Sequence, residues 1–274
     1  MNSRFGFIQG RLSVTPKKNL LQYLPKKWET EFPIAKNLKF NFIEYFKDRK
    51  QNIHNPLKSI LSAKKLERIR KKFKLKNYSI CDDFFIGRNI LKIKNLKKYI
   101  FNIVKILKLL NIKIYVLPLF EKSNLTEQNY IKFINVIDLF SRILKKNKVK
   151  LALETNIDSN FFFKILNCCI YNTNIFLVYD TGNRLKKKYD PFDEICDFGK
   201  KIIHVHIKDK NFKGENVLIG KGRVNFFRVF KGLKKINYKK KFVFETNRGL
   251  NPILTMYHNF LYISKIAKHE KYKI

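Results

Sequence analysis

VKLALE (149–154), NIFLVYD (174–180), KIIHVH (201–206) and KKFVFE (240–245) are four short apolar runs, and each ends on a side chain able to bind a metal: Glu154, Asp180, His206 and Glu245. The intervals between these endings are 26, 26 and 39 residues, about the length of one strand-plus-helix unit. Parallel strands deliver their last residues to one shared rim. Any single Glu or Asp at a strand end is most simply a residue meeting solvent. Four in succession, all of ligand type, point to a common purpose.

Working outward, β-like runs alternate with longer amphipathic stretches along the chain. Strands are expected at 5–9, 40–44, 78–82, 112–117, 150–154, 175–180, 202–206 and 242–245. Helices are expected at 28–38, 56–73, 93–110, 127–146, 161–169, 191–200, 225–234 and 252–267, with Pro56, Pro191 and Pro252 in first turns that tolerate proline. Alternating strands and helices imply a parallel sheet. Eight such units imply closure into a (β/α)8 barrel. An open doubly wound sheet is the alternative, but no GxGxxG or GxxxxGK[ST] turn follows an early strand.

Side chains alternate sides along a strand, so the barrel makes a parity prediction. With Glu154 inside, Ala152 is inside and Leu151 and Leu153 face the helices. With Asp180 inside, Leu177 and Tyr179 point out. With Glu245 inside, Phe242 and Phe244 point out. His204 and His206 share the inner face, leaving Val205 and Ile207 outside.

Length and composition bound the rest. The 274 residues, 45% hydrophobic, suit one such barrel, and no linker-like stretch divides them, so one domain over 1–274 is expected. The N-terminal residues hold no apolar run long enough for a signal peptide. The most apolar region, 99–120, is interrupted by Lys105, Lys108 and Lys113, so no membrane span is expected. Cys81, Cys168, Cys169 and Cys196 show neither paired metal spacing nor a disulfide framework, which points to reduced thiols in a cytoplasmic protein.

The net charge of +38 raises the question of a polyanionic partner. Of 59 basic residues 48 are Lys, Ala occurs four times, and Lys, Asn, Ile and Phe are all abundant. These are residues of AT-rich codons, and the lysines are spread over every expected helix. Solvated helix faces account for the excess better than a nucleic-acid surface does, leaving a salt-screened attraction for anionic small molecules.

Three carboxylates and one imidazole form an oxygen-rich donor set that favours one Mn²⁺, Mg²⁺ or Co²⁺ ion over structural Zn²⁺, which prefers sulfur and nitrogen. Such an ion polarises a carbonyl and its neighbouring hydroxyl. Glu154 and Glu245, from strands apart around the ring, are then placed to take and return a proton on opposite sides of a substrate.

The chain resembles the sugar phosphate isomerases/epimerases of the xylose-isomerase-like TIM-barrel superfamily, which also holds ketose 3-epimerases, inosose dehydratases and endonuclease-four-type repair enzymes. The resemblance spans nearly the whole chain. It runs through GFIQGRLS (6–13), LLQYLPKKWETEF (20–32), FIEYFKD with NIHNPL, SICDDFF, LALETN, YDTGN, HVHIKD, IGKGRVNF and FETNRG. It implies metal ligation by Glu154, Asp180, His206 and Glu245, and acid–base roles for the two glutamates. The substrate it implies is a small-molecule sugar or sugar phosphate, converted through a cis-enediolate, with a homo-oligomer admitted.

Two positions depart from the pattern. Ketose epimerases carry His three residues after the Asp ligand and Arg six after the His ligand; here these are Asn183 and Phe212. The repair enzyme needs three zinc ions and many histidines, and this chain has five. A dehydratase on the same barrel, a nucleic-acid enzyme and a catalytically retired binding module are the other readings carried forward.

Further pocket candidates are Gln9, Arg11, Glu44, Asn183, Lys208 and Arg248, for hydroxyls or an anionic group. Arg11 suits a bidentate grip or a salt bridge across the rim. Lys208 suits a substrate oxygen or a partner in Asp209 or Glu154. His204 is expected in the barrel core beside the ligands. Gly220-Lys221-Gly222 is either a turn or a backbone phosphate cradle. Trp28 and Tyr23 form an apolar wall over the site or, for Trp28, the packed start of its helix.

Overall fold

The computed structural model describes residues 4–14, 23–185 and 190–273, so residues 20–22 of the LLQYLPKKWETEF element lie outside the described residues. Its strands are β1 (Phe5–Ile8), β2 (Phe42–Lys47), β3 (Lys76–Asp82), β4 (Ile114–Pro118), β5 (Lys150–Glu154), β6 (Ile175–Asp180), β7 (Ile202–Ile207), the two-residue pieces β8 (Asp209–Lys210) and β9 (Asn216–Val217), and β10 (Phe242–Phe244). The barrel closes in the order β1-β10-β7-β6-β5-β4-β3-β2, every neighbouring pair parallel. Helices α1 (Glu31–Asn37), α2 (Ile60–Lys72), α3 (Leu96–Leu109), α4 (Tyr130–Lys146), α5 (Ser159–Cys168), α6 (Pro191–Phe198), α7 (Phe226–Lys235) and α8 (Pro252–His269) alternate with the strands. The eight-unit barrel read from the sequence is the observed fold.

Helix starts follow capping chemistry. Asp158 accepts from the Phe161 N–H to open α5, two residues earlier than the apolar pattern suggested. Asn225 opens α7 and Asn251 opens α8, the latter with Pro252 in the first turn. The helix expected over 56–73 is broken instead: Ser59 is extended (φ −153°), separating a 3-10 turn at Pro56–Lys58 from α2 and capping α2 through its own side chain.

Two apolar layers result. Leu151, Leu153, Leu177, Tyr179, Val205 and Phe244 lie in the large core between strands and helices. Ala152, Val116, Val178, Val243, Cys81 and Ile203 fill a separate core inside the barrel. The parity prediction therefore holds, with one correction low in β7. The register shifts there, so that Leu177 pairs Ile202 while Val178 pairs His204, and Ile203 turns inward beside His204. A matching shift in β3 carries Tyr78 inward with Ser79. These bulges answer each other across the axis, the Tyr78 hydroxyl lying 3.5 Å from the Ile203 carbonyl.

The β8–β9 ribbon in the loop after β7 has no counterpart in the sequence reading. Its strands are two residues long, too short for any periodicity to register.

Candidate active site

Glu154 and Asp180 are the last residues of β5 and β6, His206 sits next to the end of β7, and Glu245 directly follows β10. These four strands are consecutive around the barrel, and Asp180 and His206 are direct register partners. One donor atom from each of the four side chains lies within 4.8 Å of all the others. The sequence pattern thus converges in space.

The donor atoms of this cage crowd around the His206 ring. His206 Nδ1 lies 2.8 Å from Glu245 Oε2, 3.6 Å from Glu154 Oε2 and 3.9 Å from Asp180 Oδ2. Nδ1 and Glu245 Oε2 are buried without a hydrogen bond of good geometry, and the buried Asp180 Oδ2 is met by the Lys208 ammonium alone, at 2.9 Å. Buried polar atoms without partners are costly and rare, and a divalent cation is the partner this donor set fits.

The other lone pairs are used. Asp180 Oδ1 accepts the backbone N–H groups of Gly182 (2.9 Å) and Asn183 (2.7 Å). The Asn183 side-chain amide donates to Glu154 Oε1 at 2.9 Å. Lys208 Nζ lies 2.9 Å from Asp180 Oδ2 and 3.1 Å from Glu245 Oε1, and Arg11 approaches Glu245 at 3.7 Å. Crowding divides the two glutamates electrostatically. Burial, together with the neighbouring Glu245 and Asp180 carboxylates, pushes the Glu154 carboxyl up to about 8 against the pull of His206. Burial acts in the same direction on Glu245, but Lys208, His206 and Arg11 outweigh it and hold that carboxyl well below its usual range.

A cavity of about 260 Å³ opens above the cage. Of the residues proposed from sequence, Arg11, Glu154, Asn183, Lys208 and Glu245 line it. Gln9 and Arg248 do not: both are buried beside the rim, and Arg248 donates to the Tyr23 carbonyl. Burial, with Arg11 nearby, pushes the Arg248 guanidinium down to about 9. Glu44 is also misplaced by the sequence reading. β2 runs on to Lys47, so Glu44 lies inside the barrel beneath the cage rather than at a strand end.

Two further expectations change. The Gly220-Lys221-Gly222 turn does form an anion cradle, but the chain fills it itself. The Asp209 carboxylate accepts the N–H groups of Gly220 (2.9 Å), Gly222 (3.0 Å) and Val224 (3.0 Å). Trp28 is buried against Phe32, with its indole N–H on the His54 carbonyl, so it packs the core and does not line the cavity above the cage. Glu31, from the same WETEF stretch, explains why that motif accompanies GRL: its carboxylate accepts the N–H groups of Gly10 and Leu12 and moors the first loop.

The cavity also holds residues the sequence did not single out, among them Arg49, Asp83, Lys210 and Asn216. Asp83 follows the end of β3, the same signal that marked the four cage residues, but it was hidden behind Asp82. Burial, then the Glu245 carboxylate, push Asp83 up to about 7, against Arg49, Lys208 and Arg11.

The chain superposes on the D-allulose 3-epimerase of Methylomonas sp. (TM-score 0.72, 12% identity, 96% of this chain and 97% of that one). It also superposes on the IolI protein solved with a bound zinc atom (0.74, 18%, 97% and 98%) and on the 3-keto-D-glucoside 4-epimerase of E. coli (0.70, 15%, 96% and 100%). At these identities the likeness establishes the fold. No curated sequence matches the chain. The family model described as xylose isomerase-like TIM barrel matches residues 32–261, and the chain belongs to that family.

Proposed function

We propose that the protein is a divalent-metal-dependent sugar isomerase or epimerase. The observation that carries the reading is the cage itself: Glu154, Asp180, His206 and Glu245 converge beneath a polar cavity, with buried lone pairs facing one point. The sugar epimerases among the structural relatives support it. The substrate class is a ketose or its phosphate, and the donor set favours Mn²⁺, Mg²⁺ or Co²⁺.

When bound, the cation would supply an electrophile that polarises a substrate carbonyl and the hydroxyl beside it. The remaining work falls to the chain. Glu154 and Glu245 reach the cavity from β5 and from the end of β10, with β6 and β7 between them, so they stand on different sides of a molecule held there. One removes the proton from the carbon next to the carbonyl, and the other delivers a proton to the opposite face or to the adjacent carbon. Asn183 holds the Glu154 carboxylate in place. Lys208 and Arg11 stabilise negative charge that develops on the substrate oxygens.

The test is proton exchange. Candidate ketoses and their phosphates, incubated with the Mn²⁺-loaded protein in D₂O, should acquire deuterium next to the carbonyl. A metal-loaded protein that exchanges no proton on any of them would sink the reading. Net loss of water from the product would move it to a dehydratase.

A further inference from the structure

Beneath the cage lies a fully buried polar layer that the proposed chemistry does not use. Glu44, His204 and Ser79 are all inaccessible to solvent. Glu44 Oε1 is hydrogen-bonded to His206 Nε2 at 2.8 Å. Its other oxygen accepts the Ser79 hydroxyl at 2.6 Å and lies 2.9 Å from His204 Nε2. His204 is itself wedged between rings, stacked on Tyr78 (5.1 Å between centroids) and edge-on to His206 (4.6 Å).

Two register irregularities build this layer. The register shift in β3 brings Tyr78 and Ser79 inward, and the shift in β7 does the same for Ile203 and His204. With strict alternation, two of these four would face the helices. The bulges therefore assemble a seat around Glu44 at the barrel axis.

We propose that Glu44 is a positioning residue that fixes the ring of His206, keeping the proton on Nε2 so that Nδ1 is presented as a lone pair to the cage. A carboxylate only accepts hydrogen bonds, so the nitrogen facing Oε1 must carry hydrogen. The Ser79 hydroxyl holds the second oxygen, with the His204 ring packed beside it, and stops the carboxylate from rotating away. Outer partners of this kind orient a ligating imidazole and raise its basicity. The proposal rests on the metal-cage reading for its purpose, but the clamp itself is a property of the chain.

The experiment uses full-length protein labelled with ¹⁵N at histidine, with and without Cd²⁺, alongside Mn²⁺ titration by calorimetry. The wild type should show a downfield, slowly exchanging Nε2–H of His206 in both states. In Glu44→Gln that resonance should broaden or vanish, because the amide has one acceptor oxygen where the two oxygens of Glu44 serve both Ser79 and His206. Mn²⁺ affinity should fall by roughly 10- to 100-fold. If Glu44→Gln does not fold, Ser79→Ala removes a single tether and should weaken Mn²⁺ binding by about threefold to tenfold. A folded Glu44→Gln with an unchanged Nε2–H signal and unchanged Mn²⁺ affinity would overturn the proposal. A wild type that shows the clamped Nε2–H but takes up neither Cd²⁺ nor Mn²⁺ would support the clamp and sink the metal reading.

Discussion

Asn183 joins two members of the cage: its side-chain amide donates to Glu154 Oε1 at 2.9 Å while its backbone N–H donates to Asp180 Oδ1 at 2.7 Å. It stands where the resemblance to ketose epimerases leads one to expect histidine, so a departure in sequence serves here as a strut. Asn183→Ala keeps the backbone bond and removes the side-chain one. Mn²⁺ affinity should fall by roughly tenfold and turnover with it, with the melting temperature little changed. Calorimetric titration checks this, and unchanged affinity would show that Glu154 is held by other means.

Glu245→Gln tests the cage at its least expected member, a residue just beyond a three-residue strand. The substitution conserves volume and removes a charged donor. Bound metal should fall by more than the roughly 10- to 100-fold typical of outer-shell partners, while circular dichroism stays the same. Stoichiometric metal retained after dialysis would remove Glu245 from the site.

Cation uptake should depend on pH with a defined sign. In the metal-free chain the Glu154 carboxyl is pushed up to about 8, so below that pH it holds a proton that a cation must displace. Apparent Mn²⁺ affinity should therefore rise with pH, by about tenfold per unit for each displaced proton, since, against the effect of burial, the Glu44 and Glu245 carboxylates also hold the His206 imidazole well above its ordinary value. Titrations from pH 6 to 9 read the slope directly. A flat profile would mean Glu154 is already ionised.

Asp83 faces the cavity with its carboxyl pushed up to about 7. The pH profile of kcat/KM should carry an inflection near that value, which Asp83→Asn should abolish while leaving Mn²⁺ binding intact. An inflection that survives the substitution belongs to another group.

The filled cradle predicts a stability effect. A Cβ added at Gly222 would lie 2.2 Å from Asp209 Oδ1. Gly222→Ala should cost about 1–3 kcal/mol, read as a lower urea midpoint at constant slope.

The chain shows plainly why some of this was legible in advance. Glu154, Asp180, His206 and Glu245 could be found because a strand ending on a polar residue is a local pattern, and period-two alternation fixes which face that residue takes. Glu44 was misread by the same logic: the apolar run FIEYF contains it, and nothing local says that β2 continues to Lys47. The bulges at Tyr78 and Ile203 left no mark in the sequence, since a register shift is a property of two strands. Asp209 was read as a possible partner of Lys208. Its true partners are backbone N–H groups 11 to 15 residues away, which no spacing rule announces.

Lys208 bears on the order of assembly. Its ammonium sits between Asp180 and Glu245 and offsets part of the repulsion among three clustered carboxylates. A zinc finger cannot collapse until its ion arrives. This barrel instead carries its own internal counterion, so folding need not wait for the cation. On the proposed metal reading, loading then becomes a late and reversible step. A chelated sample should remain a folded, reloadable protein, and a cell short of the ion would hold a reserve of finished scaffold awaiting it.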